Sequence, residues 1–211
     1  MITRALLLTT LIMTGCEQIA DSQESYDYAP ALVAIADDAE TPEEIQLVSK
    51  ATLDAGAAVR EAIQNSPDWK AADRAIRRLL SQERHEMEQR IWEQYAAEAM
   101  LTTHLLPGEA SEEKSDAGIF YLDTIVNSGS PNAKLVLYTI EKYESHLTEP
   151  HIQHLASTAA SSAETFILRQ TADCESCRTE DIISQIDPSS SNARDVYLIE
   201  SNSAINKLRN L

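Results

Sequence analysis

Three histidines fall within nine residues, His146, His151 and His154, with Glu149 between the first two. His151 and His154 stand three apart, which places both on one face of a helix at a spacing compatible with a metal chelate. Their setting argues against such a role. A helix from Pro150 carries its apolar stripe at Ile152, Leu155, Ala159, Ala163 and Phe166, and His154 projects nearly opposite it, with His151 toward the same polar side. The three are weak metal candidates on a solvated face, and no metal site is assigned to them. His85-Glu86-Met87-Glu88 begins like a zinc-protease helix but has Gln89 where the second histidine would stand. The five glycines of the chain form no nucleophile elbow, P-loop or dinucleotide loop, and no catalytic residue is assigned.

Cys16 points to a different chemistry. It follows Met1-Ile2-Thr3-Arg4, an uncharged apolar run from Ala5 to Met13, and the small pair Thr14-Gly15. A charged start, a short apolar core and small residues before a cut describe a secretory signal, and the run is too short to span a bilayer. Met13-Thr14-Gly15-Cys16 resembles the lipobox of bacterial lipoproteins, with methionine where leucine is commonest. The resemblance covers the first 16 residues only. It implies that residues 1–15 are removed and that Cys16 carries the acyl chains, a covalent palmitate-type lipid that would be the only cofactor-like group. It also implies an envelope location. Glu17 stands where aspartate would retain an enterobacterial lipoprotein at the inner membrane, so the expected site is the periplasmic face of the outer membrane. Residues 16–29 are polar and acidic and read as a lipidated flexible tether.

In such an oxidising compartment the remaining cysteines, Cys174 and Cys177, are expected to form a disulfide rather than a redox or metal site. Asp173 and Glu175 place negative charge beside the sulfurs, which disfavours the thiolate that redox catalysis needs. A loop this short contributes only about 2 kcal/mol, enough to pin a turn.

The formal net charge is −17, and loss of Arg4 with the signal would make it −18. A surface of this sign repels nucleic acid and anionic lipid headgroups and favours cationic partners or metal ions, so nucleic-acid binding is excluded as the leading role. No later apolar run approaches the roughly 18 to 20 residues of a membrane helix, so attachment to the membrane should be through acyl chains alone.

Helix-start signals divide the chain. Thr41-Pro42-Glu43-Glu44 is a capping box, Ser66-Pro67-Asp68 and Ser130-Pro131 place proline after a capping hydroxyl, and Thr148-Glu149-Pro150 is a looser version. With Ser115-Asp116 they predict helices over about 42–65, 67–106, 116–127, 131–147 and 149–170, two shorter ones near 180–186 and 192–209, and another near 30–39. The expected fold is all-α: an irregular antiparallel helical bundle or short α-solenoid with one long helix over about 67–106 and shorter C-terminal helices. That helix would be about 60 Å long if unbroken. Its apolar band runs from Trp69 to Leu105 and is interrupted by Glu83, Gln94 and Glu98, so either it breaks or part of its seam faces a partner. The helices over 116–127 and 131–147 are apolar on most sides and should form the core of a C-terminal half. The loop over 107–115 separates this half, 116–211, from a long-helix half, 30–106.

These readings lead to a non-enzymatic, membrane-anchored lipoprotein that serves as an assembly, scaffold or accessory subunit for another envelope protein. The candidate interaction surface is Met87, Ile91, Gln94, Tyr95 and Glu98 on the distal part of the long helix. The alternatives are an acidic periplasmic inhibitor or immunity protein against a cationic hydrolase, steered by charge, and a cell-wall enzyme similar to lytic transglycosylases, with Glu144 of Glu144-Ser145 as the acid. The oligomeric state is not legible in the sequence.

Overall fold

The computed structural model describes residue 39 and residues 41–169, 178–189 and 192–211. The signal, the tether, the helix expected near 30–39 apart from residue 39, and Cys16, Cys174 and Cys177 lie outside the described residues. The chain is all-α, with no strand among the described residues. Its helices are α1 (Pro42–Gln64), α2 (Trp69–Leu80), α3 (Glu86–Met100), α4 (Glu112–Asn127), α5 (Ala133–Tyr143), α6 (Glu149–Arg169), α7 (Thr179–Ile183) and α8 (Ala193–Leu208). A π-helical turn, Leu101–Leu105, follows α3, and a 3₁₀ turn, Glu144–His146, follows α5. The chain forms two compact units that divide between Thr102 and Thr103, a few residues before the loop where the sequence placed its boundary.

Helix starts follow the local chemistry closely. Thr41 Oγ1 accepts from the Glu44 amide at 3.2 Å while Glu44 Oε2 accepts from the Thr41 amide at 2.9 Å, and Pro42 opens α1 where no donor is needed. At Ser66-Pro67 and Ser130-Pro131 the cap moves two residues on. Asp68 accepts from the Ala71 amide at 2.8 Å and Asn132 from the Leu135 amide at 3.2 Å. The side-chain oxygens of these residues reach back to the third amide of the helix as well as serine does. The helix expected from 116 begins four residues earlier, capped by Ser111.

In the first unit, α1 presents Val48, Ala51, Ala55 and Val59, one buried residue per turn, and α3 packs Ile91 and Trp92 against this stripe. Leu79 and Leu80 from the end of α2 complete the cluster.

The expected long helix over 67–106 is corrected. It breaks at Ser81–His85 into α2 and α3, and α2 and α3 each pack on α1 and on one another. Arg84 caps the break. Its guanidinium donates to the Leu79 and Gln82 carbonyls at 2.8 and 3.1 Å, at and just past the end of α2, and lies 3.9 Å from the centre of the Trp92 ring. Gln89 donates to the Leu80 carbonyl at 3.3 Å from the α3 side. The corner thus replaces the missing helical hydrogen bonds and lets two short apolar faces share α1, which one straight rod could not do.

In the second unit α5 is the central element. Seven of its eleven residues are buried, including Leu135, Val136, Leu137 and Ile140, and it packs against α4, α6 and α8. Helix α4 stops at Gly129, whose φ of 76° lets the Gly129 and Ser130 amides return to the Val126 and Ile125 carbonyls. Gly118 on α4 is required for another reason. A Cβ there would lie 2.2 Å from Cε2 of the buried Tyr143 ring. Polar clamps tie the remaining helices: Lys134 to Glu200 at 2.8 Å between α5 and α8, and Tyr197 Oη to the Pro131 carbonyl at 3.2 Å, with the Tyr197 ring edge-on to Phe166.

Two outcomes follow. Arg84→Ala should lower urea-unfolding stability by about 1–3 kcal/mol, and Arg84→Lys should recover little of it, because an ammonium cannot cap two carbonyls and stack on Trp92 together. Gly118→Ala should cost about 1–3 kcal/mol through overpacking against Tyr143 despite its better helix propensity, as read by thermal unfolding.

Candidate functional site

The densest polar construction in the second unit is at the end of α5. The C-terminal end of a helix leaves carbonyls without amide partners and carries partial negative charge. After the π turn, four successive carbonyls are taken up by side chains. The Tyr143 hydroxyl donates to Leu105 at 2.7 Å, the Lys142 ammonium donates to Leu106 and, at 2.7 Å, to Gly108, and Lys114 donates to Pro107 at 3.4 Å. Gly108, with φ of 75°, makes the turn that aims its carbonyl at Lys142. Burial pushes the Tyr143 phenol up to about 12 from 10, which keeps it protonated as a donor. Burial, with Lys114 beside it, holds the Lys142 ammonium below the ordinary lysine range. The sequence showed this stretch mainly as a loop, because Lys142 and Tyr143, which complete three of its four carbonyls, come from α5, more than thirty residues on.

The second feature is a groove of about 330 Å³ between α6 and the end of α8. Ala156, Ser157, Ala160 and Ser161, small residues at helical spacing, make its floor, and Leu208 and Leu211 wall one side. Arg209 donates to Glu164 at 2.6 Å at its rim. Thr179, at the start of α7, donates to the other Glu164 oxygen at 3.4 Å. The arrangement suits contact with an apolar side chain or short segment, and its charges are already matched.

The histidines do not converge. His151 Nε2 lies 2.7 Å from Asp123 Oδ1, linking α6 to α4, while His146 and His154 are exposed. Among the described residues no group of three His, Cys, Asp or Glu side chains could hold a metal ion. His85 is the exposed N-cap of α3, and Glu144 stands exposed on the 3₁₀ turn rather than in a helix.

The expected interaction surface is corrected. Ile91, Gln94 and Glu98 are buried, at 0, 1 and 1 % exposure, and Met87 and Tyr95 are half-buried against the α1–α3 core. Tyr95 lies over Gly56 of α1, with Cε1 3.6 Å from where a Cβ would be. The seam broken by polar residues was read as open because sequence periodicity cannot show that a neighbouring helix covers it.

No protein-family model, no curated protein and no solved structure matches the chain. Among the described residues no helix is long and apolar enough to cross a membrane.

Tyr143→Phe should lower stability at neutral pH by about 1–2 kcal/mol, since it leaves the buried Leu105 carbonyl without its donor. A phenol whose folded value is raised stabilises fully below the unfolded value and loses that contribution as pH climbs from 10 to about 12. Urea titrations across this window should therefore show the parent losing stability faster than Tyr143→Phe, so that the gap between them narrows.

Proposed function

We propose that this chain is a lipid-tethered, non-catalytic helical protein of the bacterial envelope that offers its second unit to another envelope protein. The observation that carries the reading is the Met13-Thr14-Gly15-Cys16 sequence behind a short apolar run, which resembles a lipoprotein processing site. Support comes from what the chemically capable side chains do. Lys142 and Tyr143 hold backbone carbonyls, and His151 is engaged with Asp123. The α6–α8 groove, with its small-residue floor and apolar wall, supports contact with a protein segment.

In cells, the parent chain should sediment with membranes and yield an acylated N-terminal peptide beginning at Cys16, and Cys16→Ser should move it to the soluble fraction. A photo-crosslinker at exposed Ser157 should then give a discrete adduct in intact envelopes that is lost on Ser161→Arg, which fills the groove. Recovery of an unacylated chain in the cytosol with residues 1–15 attached would end the proposal.

A further inference from the structure

In a chain of net charge −17, α2 is basic. Four of the 17 lysines and arginines, Lys70, Arg74, Arg77 and Arg78, fall within its twelve residues, against one acid, Asp73. Ala72 and Ile76 turn inward and are fully buried, so the cations lie on the opposite side. Lys70, Arg74 and Arg78, spaced by four, form an exposed stripe about 12 Å long. Arg77 is matched by Asp73, whose two oxygens accept from its Nε at 2.8 and 3.0 Å. Arg74 and Arg78 make no ion pair among the described residues. Between these cations the face carries Pro67, Ala71, Ser81 and Gln82, with no large apolar group, and exposed Asp68 and Glu83 flank its two ends. Half-buried Trp69 opens α2 on the same inward side as Ile76, with the Lys70 ammonium 5.6 Å from its ring.

We propose that, beyond the acyl attachment and against the repulsion expected from the net charge, this face docks on anionic phospholipid headgroups and holds the first unit against the membrane. The proposal rests on the lipoprotein reading only for bringing the chain to a bilayer. Charge complementarity selects the occupant. Salt screens beyond about 8 Å under physiological conditions, so a surface touching α2 meets its local positive charge and not the remote net charge. A protein interface needs an apolar centre that excludes water, which this face lacks, whereas a diffuse array of phosphates needs only closely spaced cations and small residues between them.

The test uses the chain from residue 16 with Cys16→Ser, so that acyl chains contribute nothing. It should co-sediment with vesicles of phosphatidylglycerol and phosphatidylcholine in equal parts at low salt, and not with phosphatidylcholine alone. Arg74→Glu with Arg78→Glu should weaken binding at least about tenfold, and about 0.3 M salt should do the same to the parent. The control Lys50→Glu with Lys207→Glu changes net charge equally on other exposed surfaces and should leave binding within about twofold. Helical circular dichroism establishes that each variant is folded; the lipid and salt dependence of the parent decides the matter if the arginine variant is not. Failure of the parent to bind anionic vesicles, equal binding to both lipids, or equal weakening by the control overturns the proposal. So does an envelope-protein crosslink abolished by the arginine reversals in a chain that ignores vesicles. Acylation is read separately by mass on the native chain, so its absence would sink the lipoprotein reading without altering the vesicle result.

Discussion

The second unit depends on how closely α4 approaches α5. Tyr143 occupies the space that any side chain at Gly118 would fill, and from there its hydroxyl reaches the Leu105 carbonyl at 2.7 Å. Ring packing and hydrogen bonding are satisfied by one side chain in one position, so the register of the two helices and the path of the chain leaving the π turn are set together. Lys142 and Lys114 extend this by holding the next three carbonyls. Four acceptors at a helix end would otherwise need water, and a cationic pair also offsets the negative end of the helix dipole.

The first unit meets the same requirement differently. Arg84 is drawn below the ordinary guanidinium range by burial, yet it remains the donor that closes α2 and the plane that stacks on Trp92. Both units rely on long cationic side chains to finish helices in an otherwise acidic chain. Several of its scarce basic residues have identifiable places: at carbonyl ends, in cross-helix pairs such as Lys134 with Glu200, and on the outward face of α2.

Helix class and most starts were legible because they are local. The Thr41 capping box and the apolar character of α5 on most of its sides each involve residues within a few positions of one another, and the structure contains both. The corrections arise where a distant element intervenes. The band from Trp69 to Leu105 has the period of one helix, and periodicity is blind to whether both halves use the same straight axis. Gln94 and Glu98 illustrate the complementary error: polar residues on a stripe suggest exposure, whereas they are buried. For the histidine cluster, local geometry placed His154 on the polar side, but the pairing of His151 with Asp123 needed α4 beside α6.

From composition and short-range spacing alone came the all-α class and the central α5, which rest on backbone propensity, capping and periodicity acting within a turn or two of helix. The expectation of a lipid-bearing cysteine came instead from the resemblance of Met13-Thr14-Gly15-Cys16 to a lipobox. The tertiary structure alone decided that the long amphipathic segment folds back at Arg84, that the former interaction seam is internal, that Tyr143 and Lys142 serve helix-end carbonyls, and that the cations of α2 share an outward face. Each of these is settled by which helix lies against which, a choice governed by burial and by the need to satisfy every carbonyl at a helix end, and neither is encoded within any one segment.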